Sequence, residues 1–130
     1  ESARTAMDLM AKNMRMSGKL VRISDYEIYM YNNSQEQCVE YKFEGNMLKI
    51  GQVNPLSSSD MNCSPTHVNY GSLVPITEAT INSGKFIINQ TDTFSTPKRI
   101  GIATIVIEIG GQKIQTTVSF RDYLDVFYWK

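Results

Sequence analysis

One histidine, two cysteines and thirteen acidic side chains bound the chemistry open to this chain. His67 stands between Thr66 and Val68, with no carboxylate beside it to orient an imidazole. A Ser-His-Asp arrangement would need long-range contacts that no local spacing supports, so His67 reads as a surface or loop residue. Glu36, Glu40 and Glu44 recur every fourth residue. Their segment reads as strand and turn, so Glu40 and Glu44 are expected to share a solvated face instead of forming a catalytic pair. Asn54, Asp60 and Asn62 offer oxygens to Ca²⁺ but lack the acid-rich spacing of a dedicated calcium loop. Phosphate-cradling glycine motifs and nucleophile elbows are missing, and Gly110-Gly111 reads as a turn because no helix follows it. The expectation is a non-enzymatic protein without cofactor or metal.

Cys38 and Cys63 either bond to each other or stay as buried thiols. Without CxxC spacing, and with a single His, they do not make a zinc site. The bond is the expected outcome; closing a loop of about 25 residues would stabilise by roughly 3 kcal/mol and implies an oxidising compartment. Lys98, Arg99 and Arg121, near an aromatic tail ending in Tyr128 and Trp129, could track a phosphate backbone and stack bases. Residues 98–130 hold five basic and three acidic side chains, so DNA binding through them would be weak and salt-sensitive. Tyr128 and Trp129 equally suit anchors in a protein interface.

A single domain must position these groups, since 130 residues with 42% hydrophobic content can build one real core. Net charge is zero, so no global field recruits nucleic acid or anionic lipid. Charge is nevertheless segregated: residues 1–22 hold five basic and two acidic side chains, and residues 25–63 hold six acidic and two basic ones.

The one helical pattern covers residues 2–17. Ala3, Ala6, Met7, Met10 and Met14 fall on one side at 100° per residue, opposite Arg4, Asp8, Lys12, Arg15 and Lys19. Gly18 is placed to stop it. The Met stripe is expected to pack on a sheet; a cofactor or peptide groove is the other use of such a stripe. After Val21 the period becomes two. Strands are expected over 26–31, over 38–53 as a hairpin turning at Glu44-Gly45-Asn46, and over 100–109 and 113–121 as a hairpin turning at Gly110-Gly111. Residues 54–66 lack periodicity and read as a loop. A short edge strand fits within 67–76, bracketed by Pro65 and Pro75, and alternation resumes over 78–89. The fold class expected is α+β: an N-terminal amphipathic helix packed on antiparallel β-sheet, with 1–19 helical and 20–130 β-rich. A start at Glu1, without Met and inside a helix, reads as cleavage or truncation of an upstream segment.

This order of features resembles the globular region of type IV pilin-like proteins. The finer likeness is to the J-type minor pseudopilins of type II secretion and the PilW-type minor pilins of type IV pili. Cys38-Val39-Glu40-Tyr41-Lys42-Phe43-Glu44-Gly45-Asn46-Met47-Leu48 is similar to their Cys-containing strand and turn. Thr116-Thr117-Val118-Ser119-Phe120-Arg121-Asp122 is similar to their last strand, with Asp122 in place of the usual Asn. The resemblance implies a pilin-like fold truncated before the helix's apolar half, and an inner-membrane anchor with a periplasmic domain in a Gram-negative bacterium. It implies a structural subunit that joins other minor and major pilins or pseudopilins and helps initiate a filament at its tip. The alternative is a tip module that touches DNA or a surface through Lys98, Arg99, Arg121, Tyr128 and Trp129.

Overall fold

The computed structural model describes residues 2–55, 63–66, 68–77, 81–92 and 98–129, and within them the side chains at 2, 3, 18, 19, 21, 89–92, 98–102 and 119–129 lie outside the described set. Ser2–Arg15 forms helix α1, with Lys12 and Arg15 in its last turn, where they suit the negative end of the dipole. The helix stops before Gly18. Met16 N donates to Asn13 O at 3.2 Å and Ser17 Oγ donates to the same carbonyl at 2.8 Å. Together they satisfy an acceptor that the helix end would otherwise leave unpaired.

The chain turns straight into β1 (Ser17–Ser24), so Gly18 is a strand residue and not a helix stop. Then come β2 (Glu27–Asn32), β3 (Gln37–Glu44), β4 (Met47–Val53), β5 (Val74–Pro75), β6 (Ser83–Asp92), β7 (Lys98–Ile109) and β8 (Gln112–Trp129). They form one eight-stranded sheet in the order β5-β4-β3-β2-β1-β8-β7-β6. Every pairing is antiparallel except β1 with β8, where Lys19 lies opposite Asp125 and Arg22 opposite Trp129. That parallel seam joins two antiparallel halves and brings the first strand beside the last. The expected hairpins turn where glycine permits it. Gly45 and Asn46 have φ of 61° and 62°, and Gly110 and Gly111 have 56° and 81°, the left-handed values that two-residue turns demand.

The α+β pilin-like arrangement expected from the sequence is corrected here: strands make up 55% of the chain and one short helix accompanies them. The physical reason is that the sheet curls back on itself and wraps the helix, instead of offering it a flat layer. Phe43 of β3 and Phe86 of β6 are far apart in strand order, yet their ring centroids lie 4.8 Å apart. Phe86 N donates to Asp25 O at 2.7 Å, and Ile81 N to Asn46 O at 2.9 Å, which ties the β6 side to the β1–β2 and β3–β4 turns. Gly84 makes the close approach possible, since a Cβ there would sit 2.4 Å from the Phe43 ring.

Met7, Met10 and Met14 fill the space so enclosed. They share one core with Leu20, Ile28, Met30, Val39, Tyr41 and Leu48 from one half and Phe86, Ala103, Ile105, Ile107 and Val118 from the other. Met7 is 1% exposed, and Met10 and Met14 are fully buried. Flexible thioether side chains suit a site whose walls come from several strands. Ala3 lies outside the described side chains.

A buried polar link fixes the helix in register. Asn13 Nδ2 donates to Tyr41 Oη, Asn32 Nδ2 donates to Asn13 Oδ1 at 3.1 Å, and Asn32 Oδ1 accepts from Ser34 N and Gln35 N. Burial pushes the Tyr41 hydroxyl up to about 12, against a smaller opposing pull from Asn13. Tyr41→Phe is therefore expected to lower stability by about 1–3 kcal/mol, because the Asn13 amide loses its buried acceptor. Urea denaturation checks this, and a loss under about 0.5 kcal/mol would show the link to be energetically idle.

Candidate functional site

Strand β2 reads Glu-Ile-Tyr-Met-Tyr-Asn and is buried on both faces. Ile28 and Met30 point to the helix-filled core, so Tyr29 and Tyr31 point outward, where a second cover is needed. The same alternation puts Cys38 and Glu40 of β3 outward. Register sets Tyr31 opposite Cys38, Tyr29 opposite Glu40, and Glu40 opposite Gly51.

The cover is the segment between β4 and β6. Cys63 bonds to Cys38 with Cα atoms 5.3 Å apart, and the described residues contain no free cysteine, so the expected pairing is present. Val68 and Cys63 bury beside Tyr29 and Tyr31, and the Tyr29 and Tyr70 ring centroids lie 5.2 Å apart. Tyr70 Oη donates to Cys63 O at 2.7 Å, folding the segment on itself. Gly51 lets it lie flat: a Cβ there would fall 2.5 Å from Leu73 Cδ2.

Beneath this cover Glu40 is only 5% exposed, which corrects the expectation of a solvated carboxylate. Glu44 is exposed as expected, and Glu36 is exposed too. Burial pushes the Glu40 carboxyl up to about 7, helped by its hydrogen bond and charge repulsion with Glu27, while Tyr29 and Lys42 pull the other way. Tyr29 Oη donates to Glu27 Oε2, and burial together with the two carboxylates holds the Tyr29 hydroxyl far above its ordinary range. Tyr70 is raised likewise, by burial and then by the Glu40 charge. Tyr29, Glu40 and Tyr70 thus meet at one site beside Glu27.

The parity of the sequence carried a signal for this. Cys38 and Glu40 share a face, so a bridge from Cys38 anchors the segment around Cys63 on the face that carries Glu40.

The other notable surface is the outer side of α1. Arg4, Asp8, Lys12 and Arg15 are exposed, as are two large apolar side chains, Leu9 at 46% and Met16 at 37%. Leu9 lies on that face, and Met16 lies one residue past the end of the helix. An open cleft of about 260 Å³ lies between the hairpin tips, lined by Tyr26, Phe43, Asn46, Met47 and Asn82. Its one carboxylate, Glu44, is engaged by Lys42 and Lys49 at 3.3 Å each, which hold it below the usual carboxylate range.

Among the described residues no group of three or more His, Cys, Asp or Glu side chains is placed to hold a metal. Asp60, Asn62 and His67 lie outside the described residues. So do the side chains of Lys98, Arg99, Arg121, Tyr128 and Trp129, although their backbones belong to β7 and β8. Register there sets Arg99 opposite Asp125 and Tyr128 opposite Val21. No helix among the described residues is long and apolar enough to cross a membrane.

No protein-family model matches the chain, and no curated protein or solved structure is significantly similar to it.

Proposed function

We propose that this chain is a non-enzymatic subunit of an extracytoplasmic assembly, of the pilus or secretion-filament kind that residues 38–48 and 116–122 resemble. The observation that carries the reading is the two-sided helix. One side is sealed by Met7, Met10 and Met14, and the other presents Leu9 among charges of both signs, with exposed Met16 just past the helix end. Apolar side chains rimmed by charge are what a subunit contact is built from. A disulfide supports an oxidising compartment, in keeping with export. In this reading the partners are other subunits of the same filament, which dock on the outer face of α1.

The alternative, a tip module that grips DNA, is less well supported. Register sets acidic Asp125 opposite basic Arg99 on one strand and opposite Lys19 on another, which weakens any field for phosphate.

Leu9→Glu tests the proposal at a position that the core does not use. Wild-type domain is expected to co-elute with sibling subunits on size exclusion, and Leu9→Glu to bind them at least about tenfold more weakly with an unchanged melting temperature. Ile87→Glu, an exposed change on β6, is expected to bind as wild type does. Failure of the wild-type domain to associate with any sibling, or equal association by Leu9→Glu, would overturn the reading. A steep salt dependence of DNA binding would favour the tip module instead.

A further inference from the structure

The cleft beside the β1–β2 and β3–β4 turns has no part in the assembly role, and its lining residues are all among those described. Three stretches of chain wall it. The β1–β2 turn brings Tyr26, the β3–β4 hairpin brings Phe43, Asn46 and Met47, and the approach to β6 brings Asn82. Backbone hydrogen bonds lock these stretches together. Phe43 N donates to Tyr26 O at 2.9 Å, Ile81 N to Asn46 O at 2.9 Å, and Phe86 N to Asp25 O at 2.7 Å. The Phe43 ring is seated against Phe86 and over Gly84. The cleft is therefore preformed, as most small-ligand sites are.

We propose that this cleft binds a neutral hexose ring at the end of a glycan, with Tyr26 as the stacking face and the Asn46 and Asn82 amides holding hydroxyls. The inference stands apart from the docking face on α1, because none of the lining residues belongs to that helix.

Size, charge and polarity select the occupant. At about 260 Å³ the cleft falls just below the roughly 300–1,000 Å³ of sites for drug-sized ligands, so it suits one small ring. Its one carboxylate, Glu44, is engaged by Lys42 and Lys49 at 3.3 Å each, so an ionic ligand meets no spare counter-charge. A purely apolar ligand would strip water from the two amides and return no hydrogen bond. What remains is a neutral molecule with a flat apolar face and a polar rim. A hexose ring has that form: C–H bonds crowd its face and hydroxyls point outward around its edge.

Two side chains are already placed for such a ring. Tyr26 is 54% exposed, and an aromatic face attracts C–H groups through dispersion and its negative quadrupole. Its backbone N–H donates to Ser24 Oγ and its carbonyl accepts from Phe43 N, so the turn holds the residue in place while the ring meets solvent. Asn82 Oδ1 accepts from Gly110 N at 2.8 Å. Gly110 N can only donate, so the amide oxygen must face it and Nδ2 must face away. Among the described residues Nδ2 has no hydrogen-bond partner, which leaves a donor fixed in direction. A donor already oriented loses little freedom when a hydroxyl binds it.

Nuclear magnetic resonance titration of the intact chain, read at the backbone and Asn side-chain amides, tests this. The probes are methyl β-glucoside, methyl β-galactoside and methyl α-mannoside, with N-acetylalanine methylamide as an uncharged peptide. At least one sugar is expected to give saturable shifts at Asn46 and Asn82, with a Kd of about 20 mM or tighter. Tyr26→Ala is expected to weaken binding about fivefold or more, and Tyr26→Phe to change it less than about twofold. Asn82→Asp keeps an oxygen for Gly110 N and deletes the donor. It is expected to weaken binding about fivefold or more with an unchanged melting temperature. No saturable shift with any of the three sugars would overturn the proposal. So would saturation by the peptide alone, or sugar binding that Tyr26→Ala and Asn82→Asp leave as in wild type.

Discussion

Replacing Cys38 and Cys63 together by alanine is expected to lower the unfolding free energy by about 3 kcal/mol, the closure entropy of a loop of this length. The bond spans 25 residues of sequence. In the chain-entropy account the bond acts mainly on the unfolded state, which it deprives of the freedom to open this loop. The structural consequences go beyond entropy. Cys63, Val68 and Tyr70 cover Tyr29, Tyr31 and Cys38, and without the tether that outer cluster is expected to expose its aromatic rings. The inner core around Met10 is separate from it and should survive. Urea denaturation gives the magnitude, and tyrosine fluorescence quenching shows where the loss occurs. A loss below about 1 kcal/mol with unchanged quenching would mean that the segment holds itself down.

Met10→Ala is expected to cost about 2–5 kcal/mol, through lost transfer energy and the cavity left behind. Met10 is fully buried between the helix and both halves of the curled sheet, so relaxation from one side cannot fill the gap. A 14-residue helix is marginal in isolation, and its persistence depends on this packing. Circular dichroism during thermal unfolding should show the helix melting early in this variant. Leu9→Ala, one residue away on the outer face, should change stability by less than about 0.5 kcal/mol. Equal effects at the two positions would mean that the assigned core face is wrong.

The helix face was legible because the 3.6-residue period of the methionines is local information. So were the two tight hairpins, where Gly45-Asn46 and Gly110-Gly111 sit between alternating runs. The expected edge strand within 67–76 is present as Val74–Pro75, kept short beside its proline. The parallel pairing of β1 with β8 was not legible. It joins residues more than 100 positions apart, and no local spacing announces such a contact. The curl that sets Phe43 against Phe86 is equally non-local, and it makes the fold a wrapped β-rich one instead of a helix on a flat layer. Gly18 misled because glycine serves both as a helix stop and as a strand residue. Glu40 misled for a different reason. Alternation showed which face it was on, but a charge pattern normally marks a solvated face, and only the bridge from Cys38 anchors a cover on that face. The burial of Glu40 is the part of the candidate site that depends most on tertiary structure.

That the outer face of α1 is where neighbouring subunits dock is the claim on which the functional reading turns. The most direct measurement places a photo-crosslinking amino acid at Leu9, Met16 or Ile87 in turn, all exposed positions, in cells that assemble the filament. Crosslinks to sibling subunits from Leu9 and Met16, and none from Ile87, are predicted. Crosslinks from Ile87 alone, or from none of the three, would contradict it.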